Sequence, residues 1–160
     1  MPFKLEFKLE PPGEQPLRRA FVLYKRIDDL TPAWQRMIPA LQDYIARRIA
    51  SGGTLHNLPP FAPLSPRYAR YKARRYPGAP ILVRSGRLRN ALTQPDHPDA
   101  IADIQPDRLT FGARIPYALY HQLGTQRMPA RPPIKLSKTL QTELLTILRN
   151  YLIQEGESRP

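Results

Sequence analysis

Residues Ile115–Ile134 read IPYALYHQLGTQRMPARPPI. Pro116 opens a short helix at its first position, where a missing N–H costs nothing. Tyr117, Tyr120, His121 and Gly124 then share one side at i, i+3, i+4 spacing. Gly124 ends the helix by taking the left-handed conformation. Pro129, Pro132 and Pro133 hold Arg131 on a stiff, extended segment. A short helix followed by a proline-bound arm does not extend into a helical bundle, so this stretch points to a mixed fold.

Upstream, Ala100–Gln105 and Arg108–Ala113 are short strand candidates around the turn Pro106-Asp107. Before them, Ser85-Gly86 starts a turn or short helix leading into Leu88–Thr93. Ser65 caps, and Pro66 begins, a helix over 66–75 that is crowded with cations. Tyr68, Tyr71 and Leu64 are the apolar groups it has to bury. Downstream, Ser137 caps the last helix, whose stripe is Leu140, Leu144, Ile147, Leu148, Tyr151 and Leu152, as for docking on a sheet.

Toward the N-terminus, Leu17, Ala20, Phe21, Tyr24 and Ile27 predict an amphipathic helix over 17–28. Thr31 caps a second helix with the stripe Trp34, Met37, Ile38, Leu41, Tyr44, Ile45 and Ile49. Pro39 should kink or restart it, and Gly52-Gly53 ends it. Phe3, Leu5, Phe7 and Leu9 alternate with Lys4, Glu6, Lys8 and Glu10 as in a half-buried strand.

The fold expected is α+β: a small, mainly antiparallel sheet packed against long N-terminal and C-terminal helices, with extended proline-rich arms. The organisation expected is a strand-like arm at 1–16, one domain at 17–153 with a long basic loop at 51–81, and a flexible tail at 154–160.

The 160 residues carry 25 Lys+Arg against 13 Asp+Glu, a net charge of +12. The imbalance is local, because no acidic residue lies between Asp43 and Asp96 while Arg47, Arg48, Arg67, Arg70, Lys72, Arg74, Arg75, Arg84, Arg87 and Arg89 do. Such a field attracts polyanions or an acidic protein partner, or simply forms a solvated surface. Without cysteine there is no disulfide and no thiolate metal site. No apolar run is long enough to span a membrane, and the N-terminus has no signal-peptide core, so no membrane partner or classical export is expected. The 20 prolines cluster at 11–16, 59–80, 95–106 and 129–133, which marks ordered turns and extended arms.

Catalytic and metal chemistry finds little support. His56, His97 and His121 have no metal-ligand spacing, and no nucleotide-binding or nucleophile motif is present. His121 is either a general base or a local hydrogen-bonding residue at the helix end. Asp96, Asp99, Asp103 and Asp107 lie among prolines and read as solvated hairpin residues. No cofactor, metal or small-molecule substrate is expected.

The chain resembles the phage virion morphogenesis proteins, also called the tail completion family. The resemblance rests on motifs in order: Phe61-Ala62-Pro63-Leu64-Ser65-Pro66, the basic helix from Tyr68 to Arg75, Leu82-Val83-Arg84-Ser85-Gly86-Arg87-Leu88, Tyr117-Ala118-Leu119-Tyr120-His121-Gln122-Leu123-Gly124, and Pro129-Ala130-Arg131-Pro132. It covers roughly residues 17–150. Phe61 stands where tryptophan is common in the family, and Ile134 where an aromatic often follows the second proline.

The resemblance implies a structural virion protein, assembled in the host cytoplasm and located at the head–tail junction. It implies tail completion, tail termination or a neck role, in a homo-oligomeric ring of six that meets other neck and tail proteins. The interface residues expected are Arg67, Arg70, Arg74, Arg75, Arg87, Arg89, Tyr117, Tyr120, His121, Arg127 and Arg131. Two alternatives stand beside it. Cations and tyrosines interleave over 67–89 as in a nucleic-acid binder, which includes contact with DNA in transit. A small basic ribonuclease would use His121, but only one base is in view.

Overall fold

The computed structural model describes residues 14–153; the strand pattern at 3–9 and the tail at 154–160 lie outside them. The order is α1 (Glu14–Asp28), α2 (Thr31–Ala50), α3 (Pro66–Arg75), α4 (Arg87–Thr93), β1 (Ala100–Gln105), β2 (Arg108–Ala113), α5 (Pro116–Leu123) and α6 (Lys138–Ile153). The fold is α+β, with helices at both ends of the described chain and a two-stranded antiparallel sheet. Residues 14–16, expected in the arm, already belong to α1.

The second helix organises the core. Ala33, Met37, Leu41, Tyr44, Ile45, Arg48 and Ile49 form its buried face at helical spacing. Leu41, Tyr44, Ile45 and Ile49 pack with Val83, Leu88, Ala91, Leu92, Ile115 and Leu140. Its start differs from expectation. Thr31 is the first helical residue rather than the cap, and its N–H is taken by Asp29 Oδ1 at 2.9 Å. Pro39 neither ends nor restarts the helix. Gln35 and Pro39 both lie on the exposed side of the helix, where a lost backbone bond costs least.

The hairpin pairs Ala100 with Ala113 through Gln105 with Arg108, as the sequence predicts. Leu109, Phe111 and Ala113 alternate along β2 and lean on the core. The sheet packs on α2 and α4. Leu30 N–H donates to the Pro106 carbonyl at 2.9 Å, tying the hairpin turn to the α1–α2 corner.

The last helix begins as expected, with Ser137 Oγ accepting from Leu140 N–H at 3.1 Å. It packs chiefly on α2 and α1, however, rather than on the sheet. The sheet's partners are taken by α2 and α4, so the C-terminal stripe meets helices instead.

The first helix departs furthest from its reading. Phe21, Tyr24 and Ile27, expected to be buried, are 61%, 63% and 57% exposed. Arg26 holds α1 to α6, donating to the Leu152 carbonyl at 3.2 Å and lying 5.8 Å from the Tyr151 ring. Tyr151 O–H in turn donates to the Asp29 carbonyl at 2.7 Å.

Candidate interaction site

The short helix α5 and the arm after it form a closed clasp. Gly124 has φ 78° and ψ −179°, so it ends α5 in a glycine-only extended conformation rather than the left-handed helical one expected. The turn lets the chain double back. The Arg131 N–H donates to the His121 carbonyl at 2.7 Å, and Thr125 pairs with Met128. Gln122 grips Ile134 twice, its Nε2 donating to the carbonyl at 2.7 Å and its Oε1 accepting from the N–H at 3.4 Å.

Arg131, expected on a partner surface, is buried to 5% exposure. Its Nε donates to the Ala62 carbonyl at 2.6 Å and its Nη2 to the Pro63 carbonyl at 2.7 Å. The guanidinium therefore clips the arm to the loop before α3. Its bidentate reach is used within the chain, on carbonyls rather than on a carboxylate.

This clip is one instance of a wider pattern. Arg48 donates to the Gly53 carbonyl at 2.6 Å and the Pro132 carbonyl at 3.4 Å, and its guanidinium lies 4.9 Å from the Phe61 ring. Lys72 Nζ donates to the Pro80 carbonyl. Each proline removes a backbone donor but keeps its carbonyl, so proline-rich loops are rich in acceptors. Buried cations restore the missing donors. None of the three is ion-paired with a carboxylate among the described residues, and burial lowers the pKa of each.

The clasp and the loops enclose a cleft of about 280 Å³. Leu64 and Tyr68 come from the loop and start of α3, and Lys72 from its inner side. The stretch from Ile81 to Leu88 forms a second wall, where Leu82 is held at φ 71°. Tyr117 and His121 of α5 and Arg131 of the arm complete it. Every motif quoted from the sequence contributes a side chain to this one cleft. A family model for phage virion morphogenesis proteins matches residues 14–153.

The chain belongs to the phage virion morphogenesis family. No curated protein and no solved structure matches it. Membership gives it a structural, morphogenetic role in a bacteriophage particle. The family motifs, distant in sequence, are the parts that build and line the cleft.

The structure divides the interface residues expected from the sequence into separate places. Arg67, Arg70, Arg74 and Arg75 are exposed and, with Tyr71, line one shallow depression on the outer face of α3. Tyr68 and Tyr71 are 37% and 50% exposed, and the side chain that α3 buries is Lys72, contrary to the sequence reading. The Tyr68 and Tyr71 rings lie 5.9 Å apart, and Tyr76 meets Tyr71 edge-on at 6.4 Å.

Arg87 sits at the cleft rim and holds Asp99 with both nitrogens, Nε to Oδ2 at 2.5 Å and Nη2 to Oδ1 at 2.9 Å. Asp99 is thus engaged rather than solvated, and the bonds from Arg87 hold its carboxyl below the usual range. Arg89 bonds the Asn90 side chain and is not among the residues lining the cleft. Tyr117 and Tyr120 are exposed, with Tyr117 on the cleft and Tyr120 outside its lining. Arg127 is exposed on the turn of the clasp.

His121 is half-buried, edge-on to Tyr117 at 6.0 Å. Its Nδ1 is buried without a partner. Burial first, then the Arg131 charge, lower the pKa of its imidazole. No carboxylate lines the cleft, so nothing there orients His121 as a base. Among the described residues no cluster of histidine and carboxylate side chains is arranged to hold a metal, and no helix is long and apolar enough to cross a membrane.

Sequence reasoning missed Lys72 and Leu82 as site residues. Lys72 stood among other cations with nothing to separate it from its solvated neighbours. Leu82 stands in one of the family-like motifs, but a leucine does not advertise a positive φ.

Proposed function

We propose that the protein is a structural component of the head–tail junction, acting in tail completion, tail termination or the neck, and that it works as a homo-oligomeric ring joining tail to head. The observation that carries this reading is the exposed stripe of α1. Phe21, Leu23, Tyr24 and Ile27 are 42–63% exposed on a helix whose main packing partner among the described residues is α6. A helix of 15 residues gains little stability alone, and an apolar stripe of this kind marks an association surface. A second copy is the occupant that a ring supplies.

A ring needs heterologous contacts, one patch meeting a different patch on the next subunit. Asp103 and Asp107 remain exposed on the hairpin, Asp96 on the turn before it, and Arg67, Arg70, Arg74 and Arg75 on α3. Those sets supply complementary charge between copies, with Arg87 and Asp99 already engaged within the chain. Six subunits fit the symmetry of tails. The reading needs no catalytic step, cofactor or small-molecule substrate.

Mass measurement with negative-stain microscopy, on the protein alone and with tail tubes, tests it. Rings capping tube ends are expected. Arg70→Glu with Arg74→Glu, or Asp103→Lys with Asp107→Lys, should each break assembly, and the combined protein should recover it. A combined protein no better than either parent overturns the charge pairing. A monomer at all concentrations, absent from tube ends, overturns the ring.

One observation favours a second reading, contact with DNA in transit. Arginines at i, i+3, i+7 and i+8 share the outer face of α3 with Tyr71, a cationic surface with a stacking group. Binding to a DNA duplex should then weaken steeply between about 50 and about 200 mM salt. Flat or absent binding removes it.

A further inference from the structure

The cleft has a chemical character that neither ring assembly nor DNA contact uses. Its walls are apolar: Leu64, Leu82 and Leu88, with Tyr68 and Tyr117. Its charged groups, Lys72, Arg84, Arg87 and Arg131, are all cationic, and no acidic side chain lines it. Lys72 and Arg131 are each 5% exposed. Lys72 gives one bond to the Pro80 carbonyl, which leaves other ammonium protons unused. Arg131 uses Nε and Nη2 on carbonyls, which leaves Nη1. Arg84 is exposed on the same lining. Leucine at positive φ is costly, and such strain gathers where a chain holds a binding surface in shape. Leu82 is that residue here.

Buried cations with unused donors and no counter-charge favour an anion, and apolar walls favour an apolar body attached to it. We propose that this cleft receives the C-terminal residue of a partner protein, its α-carboxylate facing Lys72 and Arg131 and its apolar side chain held between Leu82 and Tyr117. In a terminal residue both groups hang from one Cα, which suits a space of about 280 Å³. An internal acidic residue beside an apolar one brings a second residue's bulk and a continuing backbone. A nucleic-acid strand, by contrast, would suit the open arginine face of α3 better than a narrower cleft with leucine walls. The inference stands on the cleft of a single chain and does not require the ring.

The test is an amide-resolved NMR titration of the full chain with N-acetyl-phenylalanine, N-acetyl-phenylalanine amide, inorganic phosphate and oligothymidylate. The acid should shift the amides of Gly86, Leu88, Tyr117 and His121 in a saturable way, and the amide should bind at least about tenfold more weakly. Lys72→Met should abolish the preference for the acid. Because Lys72 also supports Pro80, Arg84→Gln on the exposed side serves as the second variant and should reduce the preference while leaving the spectrum folded. Equal binding of acid and amide overturns the proposal. So does phosphate or oligothymidylate binding the cleft as well as the acid, or shifts confined to the outer face of α3.

Discussion

The guanidinium of Arg131 meets the Ala62 carbonyl at 2.6 Å, across 69 positions of sequence. That bond joins the arm after α5 to the loop before α3, and a second bond to Pro63 fixes its angle. Both acceptors belong to a stretch where Pro63 has no N–H to offer. The bonds hold a largely exposed proline-rich loop against the arm, and they complete the cleft between loop and arm.

Arg131→Ala should therefore destabilise the fold by about 1–3 kcal/mol, since it removes two charge-assisted bonds and the packing of a side chain that is 5% exposed. Arg131→Lys should recover less than half of the loss, because a point ammonium lacks the planar fork. Chemical denaturation of the three proteins checks this. If Arg131→Ala were as stable as the parent, the clip would not hold the loop.

Gly124 and Gly78 form a matched pair for the turn that makes the clasp. Both have positive φ, +78° and +74°. A Cβ on Gly124 would lie 2.7 Å from the Ala130 backbone nitrogen, while one on Gly78 would meet nothing within 4 Å. Gly78→Ala should cost about 1 kcal/mol, the conformational part alone. Gly124→Ala should cost at least about 2 kcal/mol more, because the backbone of the arm must move. Equal melting temperatures for the two variants would remove the close approach from the account.

Much of the frame was legible in the sequence because local chemistry decided it. Ser65 and Ser137 each accept from the backbone N–H three residues on, and Pro106-Asp107 turns the expected hairpin between the two expected strands. Side-chain fate was not legible. Arg48, Lys72 and Arg131 look like their solvated neighbours, and their burial follows from where the proline carbonyls fall in space. Phe21, Tyr24 and Ile27 show the opposite failure. Helical spacing reveals a stripe, but not whether its cover comes from the same chain. The cleft was hidden for a similar reason: its motifs are separate in sequence, and only the clasp of Gln122, Gly124 and Arg131 brings them together.

The burial of His121 gives stability a pH dependence of known sign. Its folded pKa lies below the ordinary value, so the unfolded chain binds the proton more readily. The contribution is fully present above the ordinary histidine pKa of about 6.5 and is lost as pH falls below it. His121→Gln removes this site. Between about pH 7.5 and about pH 5.5 the variant's melting temperature should fall less than the parent's. Parallel slopes would mean that the ring is not held neutral by burial.

The stripe on α1 separates folding from assembly. Phe21 and Tyr24 are more than 60% exposed, so replacing them by serine should change monomer stability by no more than about 0.5 kcal/mol. Leu140 is 0% exposed in the core, and Leu140→Ala should cost about 2–5 kcal/mol. Self-association should respond in the opposite order. The Phe21→Ser, Tyr24→Ser protein should melt like the parent yet stay monomeric by light scattering at concentrations where the proposed ring assembles. A fully assembled double variant would show that the stripe is not the subunit contact. A double variant that unfolds would show that α1 is held by the chain itself more firmly than its contacts with α6 indicate.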